Sequence, residues 1–137
     1  MSYLRARILS EIAILAVRFG EVNFDEQGLE WVHIPVFELP TGWNQASTEL
    51  LIDLPFTYPE VPPDGFYIEK NLAPLNGNSL EHYFQHHEVN RHDHLDWAWY
   101  CIHPAKFSWR PSADITQGDN LVKYLELIRL ALTEAAR

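Results

Sequence analysis

The sequence predicts one α+β domain over residues 1–137: a helix, a four-stranded antiparallel meander, an irregular segment carrying the only cysteine, and a closing helix. Three observations predict it. Apolar residues recur at helical spacing near both ends of the chain, extended segments separated by turn residues fill the first half between them, and proline, glycine and asparagine punctuate the stretch before the last helix.

At the start, Leu4, Ile8, Ile12, Leu15 and Phe19 define the apolar stripe of a helix, with Arg5, Arg7, Glu11 and Arg18 placed on its other faces and Gly20 as its stop. Strands are expected at Val22–Phe24, Leu29–Leu39, Thr48–Leu54 and Gly65–Glu69, joined by turns through Asp25–Gly28 and Pro40–Asn44. The prolines of Tyr58-Pro59-Glu60-Val61-Pro62-Pro63 exclude helix and make a cis bond plausible there, the paired prolines above all. Residues 71–79 read as a loop, and Trp97–Cys101 leads into an irregular stretch, Pro104–Gly118. Leu121, Leu125, Ile128 and Leu132 then mark a helix behind an expected Asp119 N-cap.

Composition narrows the function. Ten Lys+Arg against 19 Asp+Glu give a net charge of −9, which disfavours nucleic acid, since phosphate binding requires clustered cations. Five Trp, six Tyr and seven Phe exclude a disordered chain. A chain of this length buries about two-thirds of its unfolded surface, so no disulfide or metal is required for stability. The apolar run Ile12–Val17 is too short for an export signal or a membrane span, and Cys101 is the only cysteine. A cytoplasmic protein with no membrane partner is expected, its lone thiol being either inert filler or chemistry.

The motifs resemble those of the ubiquitin-conjugating enzyme superfamily. The strand Leu50–Leu54 runs into Pro55-Phe56-Thr57-Tyr58-Pro59 and then Pro62-Pro63, similar to that family's strand followed by Tyr-Pro-x-x-Pro-Pro, and Cys101 precedes Trp109 and Pro111 by the family's spacing from catalytic cysteine to Trp-x-Pro. The likeness is greatest to divergent bacterial members that act with ubiquitin-like proteins in antiphage operons. It implies a UBC-like fold, with an activating enzyme, a ubiquitin-like protein and a target protein as partners; a histidine-rich insertion at about residues 79–96 and the lack of the family's last two helices depart from that pattern. It also implies that Arg5 and Arg7 on the first helix contact the activating enzyme and that Pro111 belongs to a ligase-docking loop, although Glu60 replaces an apolar residue at the other such loop. No cofactor is implied.

The chemistry needs more than the thiol. A cysteine with pKa about 8.5 is a competent nucleophile toward thioesters even as a minor thiolate fraction, and thioester exchange needs mainly positioning. Transfer to an amine also needs an oxyanion donor and a proton acceptor. The family's His-Pro-Asn motif is replaced here by Ala73-Pro74-Leu75-Asn76, which leaves Asn76 as the candidate donor and His94 or His103 as candidate acceptors. Asn76 also lies in the turn sequence Asn76-Gly77-Asn78, and His103 beside Pro104 can serve as a loop hydrogen-bonder. The rival signal is the cluster His82, His86, His87, His92 and His94, where the spacing of His82 and His86 with His92-Asp93-His94 could hold zinc or iron. The alternative to a conjugating enzyme is therefore a silent binding module of the same fold, with or without a histidine-bound metal; the metal is not assigned.

Overall fold

A computed structural model describes residues 3–84, 97–102 and 108–137. In chain order they form α1 (Tyr3–Phe19), β1 (Asn23–Phe24), β2 (Trp31–Glu38), β3 (Ser47–Asp53), β4 (Gly65–Glu69), β5 (Tyr83–Phe84), β6 (Trp97–Cys101) and α2 (Leu121–Ala135). The strands make one sheet in the order β1-β2-β3-β4-β6-β5, with every neighbouring pair antiparallel. Both helices cover one face. That face carries Val32, Ile34, Leu50, Ile52, Phe66, Ile68 and Tyr100, packed with Ile8, Ile12 and Leu15 of α1 and Leu121, Tyr124, Leu125, Ile128 and Leu132 of α2. Alternation along the strands sends Leu51, Tyr67, Trp97, Trp31 and Trp99 to the opposite face, where they form a separate cluster.

The first four strands fall within two residues of the expected positions, but the sheet is not a four-stranded meander. β6 inserts between β4 and β5, and Cys101 is the last residue of that strand rather than part of an irregular segment. The reason lies in Trp97-Ala98-Trp99-Tyr100-Cys101: Ala98 and Tyr100 face the helices while Trp97 and Trp99 join the second cluster, so apolar residues occupy both faces. A strand of that kind lacks the polar alternation that marks a half-buried one. In β2, Pro35 lies where the pairing with β3 shifts register, between Ile34 and Phe37, as expected for a residue that cannot donate to the ladder. The cis bond occurs at Tyr58–Pro59, not within Pro62-Pro63.

The second departure is in α1. Its buried face is Arg7, Ile8, Glu11, Ile12 and Leu15, so two charged side chains expected on solvated faces are inside. Glu11 is fully buried and Arg7 is 7 % exposed. One carboxylate oxygen of Glu11 accepts from the Tyr58 hydroxyl at 2.5 Å and from the Leu121 backbone N–H at 2.7 Å; the other accepts from Arg7 Nε at 2.8 Å. Arg7 Nη1 donates in turn to the Ser112 carbonyl. One carboxylate thus joins α1, the proline-rich turn, the segment before α2 and the first residue of α2 itself. The Tyr58 hydroxyl is held far above its ordinary pKa by burial, by the Glu11 charge and by its hydrogen bond to Glu11, so it remains a donor.

The last helix is fixed at both ends. Asn120, not Asp119, is the N-cap, its side chain accepting from the Lys123 N–H at 2.9 Å, while Asp119 accepts from the Arg110 N–H at 2.6 Å. At the other end Asn76 Nδ2 donates to the carbonyls of Ala135 and Arg137 at 3.2 and 2.8 Å, and Trp43 Nε1 donates to Leu132 at 2.9 Å. The bonds to Leu132 and Ala135 satisfy carbonyls that the helix leaves open, and the bond to Arg137 lies just past its end.

Removing the Glu11 carboxylate leaves the Arg7 guanidinium buried without its counter-ion. Glu11→Ala is expected to lower the unfolding free energy in urea by about 3–5 kcal/mol, whereas Glu60→Ala at the exposed turn changes it by less than about 0.5 kcal/mol. Equal midpoints for the two variants would show that Glu11 does not carry this role.

Candidate functional site

Cys101 ends β6 opposite Gly65, the first residue of β4, on the face of the sheet away from the helices. Backbone bonds fix it on both sides: its N–H donates to the His82 carbonyl at 2.8 Å, and the Ile102 N–H donates to the Asp64 carbonyl at 3.0 Å. The thiol is free and half-buried. Two residues earlier on the same face, Trp99 turns its indole so that Nε1 donates to Cys101 Sγ at 2.8 Å. Burial pushes the Cys101 thiol above the ordinary cysteine range, the Trp99 hydrogen bond lowers it, and the Asp64 carboxylate raises it further. Tyr124, buried on the first turn of α2, has a hydroxyl with no hydrogen-bond partner among the described residues. Burial raises that phenol's pKa most, followed by the charges of Asp64 and Cys101.

The two motifs that flank the cysteine in sequence meet in space. Trp109 Nε1 donates to the Pro59 carbonyl at 2.8 Å, and its ring lies 6.5 Å from that of Tyr58. Pro111 bridges to Gly118 and Asp119 and lines a groove of about 410 Å³ with Tyr3, Leu4, Phe56 and Pro59. Phe56 is 99 % exposed at its rim.

The other expected site residues fall elsewhere. Asn76 does not reach Cys101. The thiol lies where β4 begins, the loop of Asn76 leaves where β4 ends, and the Asn76 amide is held on the C-terminal carbonyls of α2. Arg7 is internal, and Arg5 donates to the carbonyls of Glu26 and Gln27, which ties α1 to the turn after β1. The more exposed cation of α1 is Arg18, 3.6 Å from Glu126 of α2. His94 and His103 lie outside the described residues, as do His86, His87, His92 and Asp93 of the metal reading; His82 is exposed. Among the described residues no three His, Cys, Asp or Glu side chains gather into a group that could hold a metal ion.

Trp99, Gly65, Asp64 and Tyr124 are the residues sequence reasoning passed over. Trp99 alone carried a signal, since a residue two before a cysteine on a strand shares its face. The pairing of β4 with β6, which brings Asp64 and Gly65 to the thiol, has no local trace in the sequence.

An α+β domain with an antiparallel sheet, two helices on one face and a lone accessible thiol beside a Tyr-Pro turn is compatible with an E2-like fold, that of ubiquitin-conjugating enzymes. Residues 14–135 match the family described as prokaryotic E2 family E, and the chain belongs to that family. It matches no curated protein and no solved structure. Among the described residues no helix is long and apolar enough to cross a membrane.

Because only the thiolate is nucleophilic, a group that raises the thiol's pKa slows its alkylation at neutral pH. Asp64→Asn removes one such charge and is expected to increase the iodoacetamide alkylation rate of Cys101 at pH 7.5 about two- to threefold. A rate equal to or below that of the wild type would show that the carboxylate does not act on the sulfur.

Proposed function

We propose that the protein accepts a ubiquitin-like protein from an activating enzyme as a thioester on Cys101 and transfers it to an amine of a target protein. The observation that carries this reading is the position of the thiol: a half-exposed cysteine, the only one in the chain, at the end of a strand and paired with Gly65, where β4 begins after the Tyr58-Pro59 turn. Membership of a prokaryotic E2 family supports a role of this general kind. The antiphage setting rests on the resemblance of the motifs to divergent bacterial members.

The reading divides the surface. The sheet face carrying Cys101 and Trp99 receives the thioester, and the groove bounded by Tyr3, Leu4, Phe56 and Pro111 on the helix side takes a protein partner through an exposed aromatic anchor. Asn76 is assigned a structural part on α2, so an oxyanion donor for amine transfer has to come from elsewhere around the thiol.

Incubation with an activating enzyme, its ubiquitin-like protein and ATP should give a reductant-sensitive adduct on non-reducing gels. Cys101→Ala should abolish it with the fold intact, and Cys101→Ser or Cys101→Lys should convert it to a reductant-resistant ester or amide. An adduct undiminished in the Ala variant would refute the assignment, and no adduct on the wild type would favour the silent binding module.

A further inference from the structure

Trp99 and Cys101 are adjacent on one face of β6, and the indole is seated so that its only polar atom meets the sulfur. A Cβ added at Gly65, across the ladder, would lie 2.5 Å from the Tyr100 carbonyl oxygen and 2.7 and 3.0 Å from two carbons of the Trp99 benzene ring. Residue 65 must therefore be glycine for the indole to lie where it does. Tyr67, the partner of Trp99 in the ladder, packs against the ring with centroids 4.9 Å apart. Held on these sides, the ring presents Nε1–H to Sγ at 2.8 Å. An indole N–H donates and never accepts.

A bond of this kind is not equally strong along a thioester reaction. The sulfur of a thiol or thioester is a weak acceptor, whereas a thiolate is a charged one, and hydrogen bonds to charged groups are about twice as strong. The donor consequently stabilises the states in which negative charge sits on sulfur more than those in which it does not, which is the condition for accelerating a step. Among the described residues the charged group facing Sγ from β4's side is Asp64, which opposes the thiolate; on α2 the Tyr124 phenol feels the charge of Cys101.

We propose that the Trp99 indole N–H is a catalytic hydrogen-bond donor to the Cys101 sulfur, binding the thiolate as it attacks and as it departs. The proposal rests on the thioester reading of Cys101. In loading, the Cys101 thiolate bonds to the carbonyl carbon of the incoming thioester, the original C–S bond breaks, and the leaving thiolate takes a proton from solvent. In discharge, the amine nitrogen bonds to that carbon, the C–S bond to Cys101 breaks with its electron pair on Sγ, and the proton lost by nitrogen passes to solvent. The indole keeps its proton throughout.

The test needs a donor removed without loss of shape. Trp99→Phe and an analogue with benzothienylalanine at position 99, in which sulfur replaces the ring N–H, are compared with wild type in two measurements. In the first, the pH of half-maximal alkylation of Cys101 by iodoacetamide is expected to rise by about one unit in both variants. In the second, Cys101 is loaded by transthiolation from N-acetyl-glycylglycyl mercaptoethanesulfonate thioester and discharged to free lysine. A thiolate fraction about tenfold lower is partly offset by the greater nucleophilicity of the more basic thiolate, so loading falls only about threefold. Discharge, where the unbound thiolate must leave, falls about tenfold. An unshifted alkylation profile in the benzothienyl variant, or a shifted profile with unchanged discharge, overturns the proposal. Failure of the reading beneath it looks different: the wild type then takes no adduct from an activating enzyme, whatever the alkylation profile shows.

Discussion

The structure hangs on the carboxylate of Glu11. A fully buried carboxylate is costly to desolvate, and it persists because its oxygens accept from a guanidinium, a phenol and a backbone N–H at the start of a helix. The last of these donors is well served by a carboxylate, since the first N–H groups of α2 have no partner within the helix and the helix dipole favours negative charge at that end. Each donor comes from a different part of the chain, so the carboxylate fixes the relation of both helices to the proline-rich turn. Trp109 extends the arrangement by bonding to Pro59, next to the tyrosine that Glu11 holds. The sheet end carrying Gly65 and Cys101 follows directly from that turn.

The two faces of the sheet consequently serve different purposes. The helix side contains the main core and the Glu11 network; the opposite side is an aromatic surface of Trp31, Tyr67, Trp97 and Trp99 with Cys101 at its end. Placing a thiol at the end of a strand gives its backbone fixed partners, here the carbonyl of His82 and a ladder position opposite Gly65. Positioning of this kind is what thioester exchange chiefly requires. The same placement raises the thiol's pKa by burial, which makes a donor such as Trp99 consequential for the sulfur.

Much of this was legible in the sequence. The apolar periods located both helices, extended segments between turn residues located the first four strands, and Tyr58-Pro59, Cys101 and Trp109-x-Pro111 gave the resemblance to ubiquitin-conjugating enzymes, because each of these signals is local. What escaped depended on partners distant in sequence. Arg7 and Glu11 read as residues of the faces away from the apolar stripe, yet they share an arc with Ile8, Ile12 and Leu15, and the hydroxyl of Tyr58 and the first N–H of α2 make their burial tolerable. β6 was hidden because both of its faces are apolar. Asn76 was assigned to the thiol by analogy with a motif position; it is instead a cap for α2, as the turn-forming character of Asn76-Gly77-Asn78 had allowed.

Amide hydrogen exchange at Leu121 reads the hold of Glu11 on α2 residue by residue. The first N–H of an α-helix ordinarily exchanges fast, because no carbonyl four residues earlier accepts it. Here Glu11 accepts it inside the core. The Leu121 amide is expected to belong to the slowest-exchanging class, opening only with an apparent free energy equal to that of global unfolding in urea. A Leu121 amide that exchanges far faster than global unfolding allows, while the interior of α2 stays protected, would contradict that hold.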